Sequence, residues 1–431
     1  MNWYRIPFLF AVTFLILGNN RLVINQGWSM AAQFLAMLAI AMICILSLSR
    51  YGTQRFQQSL LYFTPVLVFY GYMMAAQVMM VGNFGRGLLS TLQYIGVSVL
   101  TVWMIPALLL ISPKIRYWTL RVMLFSSVVL AIAGIVGSIV PAGLLGEVLS
   151  QKRSYGFGGI FHASGGILEH MITLSVQLML ALFILRWFRD SHAESRKSYL
   201  LMGIAVLSFG LLVTMGRSGW LGAASGLIMA SLVRKSFVVT AFGVIGMAFV
   251  SGMMYLVVYE VAQEVDWLGG LLRLDHGLSN REYLWTVSID LIKQNPLGWG
   301  YQAPQTELAH LFYGDFAEKQ GIGGAGSHNT FLDICLSYGI PAVILYYGIF
   351  ISAFINVIRS RLDLPMKRLL VASVLGVLLS SHFITFNIGG ARFTTICINI
   401  LIGMALLSPL ITKRRYQEDS ASRILRNVPE R

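Results

Sequence analysis

The chain has 431 residues, is 56% hydrophobic and only 12% charged, and carries a formal net charge of +14. Soluble globular proteins are about 25% charged, and apolar runs of roughly 20 residues recur here from end to end, so a soluble core is excluded and a polytopic helical membrane protein is expected. The positive balance would suggest nucleic acid in a soluble protein; here Lys and Arg marking cytoplasmic connections account for it.

The apolar runs fall at about 5–19, 28–48, 59–81, 89–112, 118–140, 166–187, 199–214, 218–233, 237–258, 329–358, 369–386 and 393–411. The expected fold is an all-α integral membrane protein with about 12 transmembrane helices. With the N-terminus inside, the inner connections hold 22 Lys and Arg and the outer ones 10, four of these in one long loop. That bias places both termini in the cytoplasm. The first run, Ile6–Gly18, is followed by no small-residue cleavage site and reads as a retained span rather than a removed signal peptide. Cys44, Cys335 and Cys397 all sit in apolar runs and read as small core residues.

Two outer connections are long, Pro141–Gly165 and Tyr259–Ser327. The second, between spans 9 and 10, is too long for a passive link. Within it Ser279 or Asn280 can cap a helix from Arg281 to Lys293, with Leu284, Val287 and Leu291 on one face and Asn295-Pro296-Leu297-Gly298 as its stop. This helix is expected to lie on the membrane surface and cover a cavity. Residues 1–412, including the loop 259–327, form one polytopic domain in this reading, and 413–431 form a polar cytoplasmic tail.

Three strongly polar residues share the outer face. Arg217 lies in Gly-Arg-Ser-Gly-Trp-Leu (216–221), where Gly216 and Gly219 allow close backbone approach. Arg281 opens the loop helix, whose N-terminal N–H groups and dipole would add to the guanidinium. His328 follows a glycine-rich stretch, 321–327, and precedes a short helix to Tyr338 that Gly339 and Pro341 break. Two cations that do not deprotonate and one imidazole suit a site that holds a diphosphate and moves a proton. The plainer readings are a headgroup-facing Arg217, a solvated first-turn Arg281 and a structural histidine. Lys152, Arg153, His162, Glu169, His170 and Arg392 lie on the same side as weaker candidates, and His382 reads as a helix–helix hydrogen-bond partner. There is no Walker loop, dinucleotide fingerprint or metal-spaced Cys/His cluster, which argues against a soluble nucleotide donor.

The segments Gly-Arg-Ser-Gly-Trp-Leu (216–221), Asn-Arg-Glu-Tyr-Leu-Trp (280–285), Asn-Pro-Leu-Gly-Trp-Gly-Tyr (295–301) and His-Asn-Thr-Phe-Leu…Tyr-Gly-Ile-Pro (328–341) resemble the O-antigen ligase and polysaccharide polymerase superfamily of bacterial inner membranes. The resemblance covers about residues 200–345. It implies a multi-pass inner-membrane glycosyltransferase using undecaprenyl-diphosphate-linked glycan at the periplasmic face, inverting, and needing neither metal nor cofactor. Carried over by position, Arg217, Arg281 and Arg153 would bind the diphosphate and His328 would be the base. His162, Glu169 and Arg392 are candidates for acceptor binding or an accessory role. One departure is the turn Phe161-His162-Ala163-Ser164-Gly165, where family members often carry an Asn-Pro-Asn-like turn. The implied partners are the lipid-linked oligosaccharide, an acceptor glycan or lipid A core, membrane lipids and other polysaccharide assembly proteins. Polymerisation is slightly favoured over ligation to lipid A core or protein. A polysaccharide or lipid-linked sugar flippase is the competing class, and it predicts similar halves and charges at the bilayer midplane.

Overall fold

The computed structural model describes residues 37–46, 53–79, 84–139, 156–157, 161–162, 171–191, 197–233, 281–301, 327–384 and 393–412. In chain order these form α1 (Met37–Leu46), α2 (Thr53–Met79), α3 (Phe84–Ser98), a π-helical turn (Val99–Met104), α4 (Ile105–Ile111) and α5 (Pro113–Ile139). Then come α6 (Met171–Ser191), α7 (Lys197–Val213), α8 (Arg217–Leu232), α9 (Arg281–Gln294), α10 (Thr330–Arg359), α11 (Leu364–Ser380), α12 (Phe393–Leu406) and a 3-10 turn (Ser408–Thr412). Gly156–Phe157 (β1) pairs antiparallel with Phe161–His162 (β2); apart from this pair the regular elements described are helical. The chain is a multi-pass membrane protein: five described helices are long and apolar enough to span, Gln57–Met79, Gly87–Ile111, Pro113–Ile139, Met171–Ser191 and Thr330–Arg359. The expected runs at 5–19 and 237–258, and the tail 413–431, lie outside the described residues.

Several boundaries differ from the apolar runs, each for a local reason. The runs at 89–112 and 118–140 are separated by little more than Ser112, which is extended (φ −113°, ψ 96°). Helix α5 starts directly at Pro113, a residue suited to the first helical turn because its missing N–H is not needed there. The π turn has a similar cause. Pro106 cannot donate to the Val102 carbonyl, so the chain widens and the Ile105 N–H reaches back to Leu100 instead. Gly403 of α12 then packs against the Val102 carbonyl, where a Cβ would collide.

The core around the candidate site is built from small residues. Helix α8 packs mainly on α11 and α6. Ser218, Gly222 and Gly226 recur every four residues along α8, the spacing that lets helix backbones approach closely in a membrane. A Cβ on Gly222 would lie 2.8 Å from the Gly376 carbonyl, and one on Gly226 would lie 2.8 Å from that of Ala372. Gly222→Val therefore forces α8 and α11 apart. The expected cost is about 1–3 kcal/mol, read as a lower melting temperature of the purified protein in detergent; an unchanged melting temperature would contradict the close packing.

The far ends of the same helices carry an ionic tie. Arg368 donates to Asp190 at 2.9 Å, and Arg186 donates to the Leu227 carbonyl at 2.9 Å and to Ser231 at 3.1 Å. The connections around 186–197 and 359–368, both expected on the inner side, thus meet at one end of the bundle. Arg217, Ser327–Thr330 and Ser380–Ile384 gather at the other.

Candidate functional site

The three-residue connection Thr214–Gly216 between α7 and α8 is a tight turn. Met215 takes a left-handed φ of 49°. The Thr214 hydroxyl donates to the Leu211 carbonyl at 2.7 Å and accepts from the Gly216 N–H at 3.2 Å. The Trp220 indole N–H also donates to the Leu211 carbonyl, at 2.8 Å, closing the turn from the α8 side. Gly216 and Gly219 press against Ser175 near the start of α6: a Cβ on either would lie 2.6 Å or less from its side chain. The close approach expected from these two glycines is there. Arg217 is the first residue of α8 and is partly buried, and Gly216 supplies no side-chain cap ahead of it.

His328 is partly buried and adopts φ 55°, a left-handed conformation that costs a non-glycine residue of order 1–3 kcal/mol. The residues on either side hold it there. The buried Asp333 carboxylate accepts from the Ser327 N–H at 2.7 Å. The Ser327 hydroxyl donates to the Asn329 carbonyl at 3.0 Å and accepts from the Asn329 N–H at 3.2 Å. The Asn329 side chain caps α10, accepting from Phe331 and Leu332 at 3.0 and 3.2 Å. From the loop helix, the Trp285 indole N–H donates to the Ser327 carbonyl at 3.0 Å.

Two consecutive residues at the end of α11 join the Arg217 and His328 turns. The Ser380 hydroxyl donates to the Ser218 carbonyl at 2.9 Å, next to Arg217. The Ser381 carbonyl accepts from the Thr330 N–H at 2.9 Å, two residues after His328. The Thr330 hydroxyl adds a bond to the Ile384 carbonyl at 2.7 Å. These tertiary bonds explain why α11 ends at Ser380 although the apolar run continues to about 386: the carbonyls of Ser381 and Ile384 serve α10. Apolar character marks a span's depth, and hydrogen-bond partners mark its end.

The expected break after Tyr338 is present. Gly339 has φ 84° and ψ 174° inside the stretch Thr330–Arg359. Pro341 cannot donate to the Ser337 carbonyl, and Asn295–Tyr301 fills the gap. Trp299 N–H donates to the Leu336 carbonyl at 2.8 Å, Gly300 N–H to that of Ser337 at 3.0 Å, and Ile340 N–H to the Pro296 carbonyl at 2.9 Å. The Tyr72 hydroxyl takes the Tyr338 carbonyl at 3.1 Å. Gly298, at φ 97°, lies so close to Gly339 that a Cβ would sit 2.6 Å from its nitrogen. Asn-Pro-Leu-Gly-Trp-Gly-Tyr thus stops α9, as expected, and also repairs the broken α10. The second role needs contacts more than thirty residues away, which sequence spacing does not reveal.

Arg281 is the first residue of α9, which runs to Gln294, one residue beyond expectation. Its side chain, that of His162, and all of Arg153, Glu169 and Arg392 lie outside the described residues. So do the possible caps Ser279 and Asn280 and most of the loop 259–327. Leu284 packs with Leu336 of α10, with Trp285, Val287, Leu291 and Ile292 alongside, so the expected apolar face of α9 rests on protein. Arg281 stands one helical turn before Trp285, and hence before the bond to Ser327. The structure therefore joins the Arg217 and His328 turns through Ser380–Ser381 and connects the helix that Arg281 opens to the latter turn.

His382 is a different kind of histidine. Its Nδ1 faces the Leu378 carbonyl at 3.1 Å, which can only accept, so Nδ1 carries the proton and Nε2 accepts from the Tyr347 hydroxyl at 3.1 Å. Nδ1 ties the ring to α11 itself, and Nε2 makes the helix–helix hydrogen bond to α10 that the sequence leads one to expect. The three cysteines are buried thiols. Trp285, Asp333, Ser380 and Ser381 are site residues that sequence reasoning misses; Trp285 carries a signal beside the apolar face of α9 and Asp333 one as an acid in the first turn of α10, and the two serines carry none.

Residues 200–347 match the family model described as O-Antigen ligase, a range that runs from early in α7 through α8 and α9 to the middle of α10 and so contains both turns. The chain is also 29% identical to the "Exopolysaccharide production protein ExoQ" of Rhizobium meliloti (strain 1021), over 38% of this chain and 45% of that protein. The chain thus matches less than half the length of this relative. The resemblance read from the four motifs is borne out.

Proposed function

We propose that this chain, an O-antigen ligase and polymerase family protein by its 200–347 region, is a glycosyltransferase of surface polysaccharide assembly. Its donor is an undecaprenyl-diphosphate-linked glycan, used at the periplasmic face of the inner membrane. The observation that supports this most is the bonding of the Arg217 and His328 turns to consecutive residues, Ser380 and Ser381.

The chemistry follows from what each turn offers. Helix α8 starts with an arginine and no side-chain cap, an arrangement that favours an anion through both guanidinium and helix dipole. The start of α10 is already served by Asn329 and by the Ser381 carbonyl, so the imidazole is the group that His328 brings. In the proposed reaction an acceptor sugar hydroxyl attacks the anomeric carbon. The new glycosidic C–O bond forms as the bond to the diphosphate breaks, with inversion. The lipid diphosphate leaves with its electron pair, and His328 takes the acceptor's proton. Arg217 and Arg281 bind the growing negative charge, a role that fixed, charge-assisted donors fill in place of a metal ion.

The acceptor separates polymerase from ligase. The polymerase reading is preferred, supported by the exopolysaccharide-producing relative. Arg281→Ala should weaken donor use, and Arg281→Lys should restore it only in part, because a lysine cannot make the bidentate contact. Transfer should run at full rate in EDTA. Strict metal dependence, or wild-type donor use by Arg281→Ala, would contradict the scheme.

A further inference from the structure

Four features converge on the Ser327–His328 turn. His328 is held in a left-handed conformation at φ 55°. The residue before it is gripped from two sides, by the Asp333 carboxylate on its N–H and the Trp285 indole on its carbonyl. Ser327 is fully buried and Asp333 nearly so, so these bonds are screened from water. Trp285 sits one turn into the helix that Arg281 opens, and its ring lies 6.3 Å from that of Phe383, just past the end of α11. A strained residue persists only where its surroundings over-determine it, and here those surroundings come from two separate elements, α9 and α10.

We infer that Trp285 and Asp333 are positioning residues that hold His328 in its working orientation, and that Trp285 links donor seating at the start of α9 to the placement of the base. This rests on the proposed role of His328. The Ser327–His328 peptide is the hinge: with the Trp285 bond in place its carbonyl is fixed, and the left-handed turn directs the next side chain. A donor diphosphate seated at the start of α9 acts one helical turn from Trp285, and through the Trp285 bond to Ser327 bears on the base. Neither residue touches the reacting atoms. Displacing a catalytic group by about 1 Å costs on the order of a hundredfold, so loss of either grip should appear in kcat.

The test is a double-mutant cycle on the purified full-length protein, using lipid-linked repeat unit extracted from the native host as probe. Trp285→Phe keeps the ring and removes the N–H. It should lower kcat by about 10- to 100-fold while leaving the donor KM and melting temperature near wild type. Asp333→Asn, which keeps an acceptor for the Ser327 N–H, should retain most of the rate, and Asp333→Leu should lose it. In a His328→Ala background, Trp285→Phe should cost nothing more, because the group it positions is gone. A full rate in Trp285→Phe, or an equal fractional loss with and without His328, would overturn the inference while leaving the base assignment intact. Full activity in His328→Ala itself would remove the base and the inference together.

Discussion

His328→Ala should lower kcat by about 10²–10⁴-fold, the usual contribution of a positioned general base, leaving a small residual rate that long incubations with concentrated protein read. The backbone supplies a control that separates chemistry from folding. Because φ at 328 is 55°, an alanine there could relax the turn, whereas asparagine tolerates the left-handed region well. His328→Asn should therefore preserve the Ser327 and Asn329 bonds and still be inactive. His328→Gly should be inactive and more stable by about 1 kcal/mol, because glycine has no penalty at positive φ. The combination of higher melting temperature and lost transfer would mark a residue kept for chemistry against its conformational cost. A His328→Asn protein with wild-type kcat would eliminate the imidazole from the reaction.

Arg217→Ala should have the second largest effect, about 10²–10³-fold in kcat/KM, comparable to removing one fixed donor aimed at a developing anion. Its turn is secured by Thr214, Trp220 and the Gly216–Ser175 approach, all of which the variant keeps. The variant should fold and insert normally. Arg217→Lys should recover only part of the loss, since a point charge replaces a planar fork. If Arg217 merely faced lipid headgroups, lysine would serve as well as arginine and alanine would leave kcat/KM nearly unchanged.

The sequence made the helices legible because membrane spans repeat a strong apolar signal, and it made the polar residues legible because each interrupts that signal. Arg217 and His328 stood out for this reason, and Gly216, Gly219, Gly339 and Pro341 marked where the backbone had to bend. The partners that fix those bends were hidden. Ser380 and Ser381 look like ordinary helix residues in an apolar run, yet one bonds the Ser218 carbonyl and the other accepts from Thr330. The π turn was likewise invisible: Pro106 lies in an apolar run read as one span, and only the approach of Gly403 shows what the widened turn accommodates. Asp333 reads as a first-turn helix acid, and its grip on Ser327 depends on a turn geometry that spacing alone does not specify. Local chemistry thus announced where the site lies, and long-range hydrogen bonds decided how its pieces are held together.

The most direct test of the central claim is transfer by purified protein given extracted lipid-diphosphate-linked repeat unit, with and without lipid A core, comparing wild type with Arg217→Ala and His328→Asn. The account predicts product from wild type and almost none from either variant. Chain elongation without core would assign the preferred polymerase activity; product only with core would assign ligation at the same site. Movement of intact lipid-linked repeat across a proteoliposome bilayer, with no glycosidic bond formed under either condition, would contradict the account and make the protein a transporter.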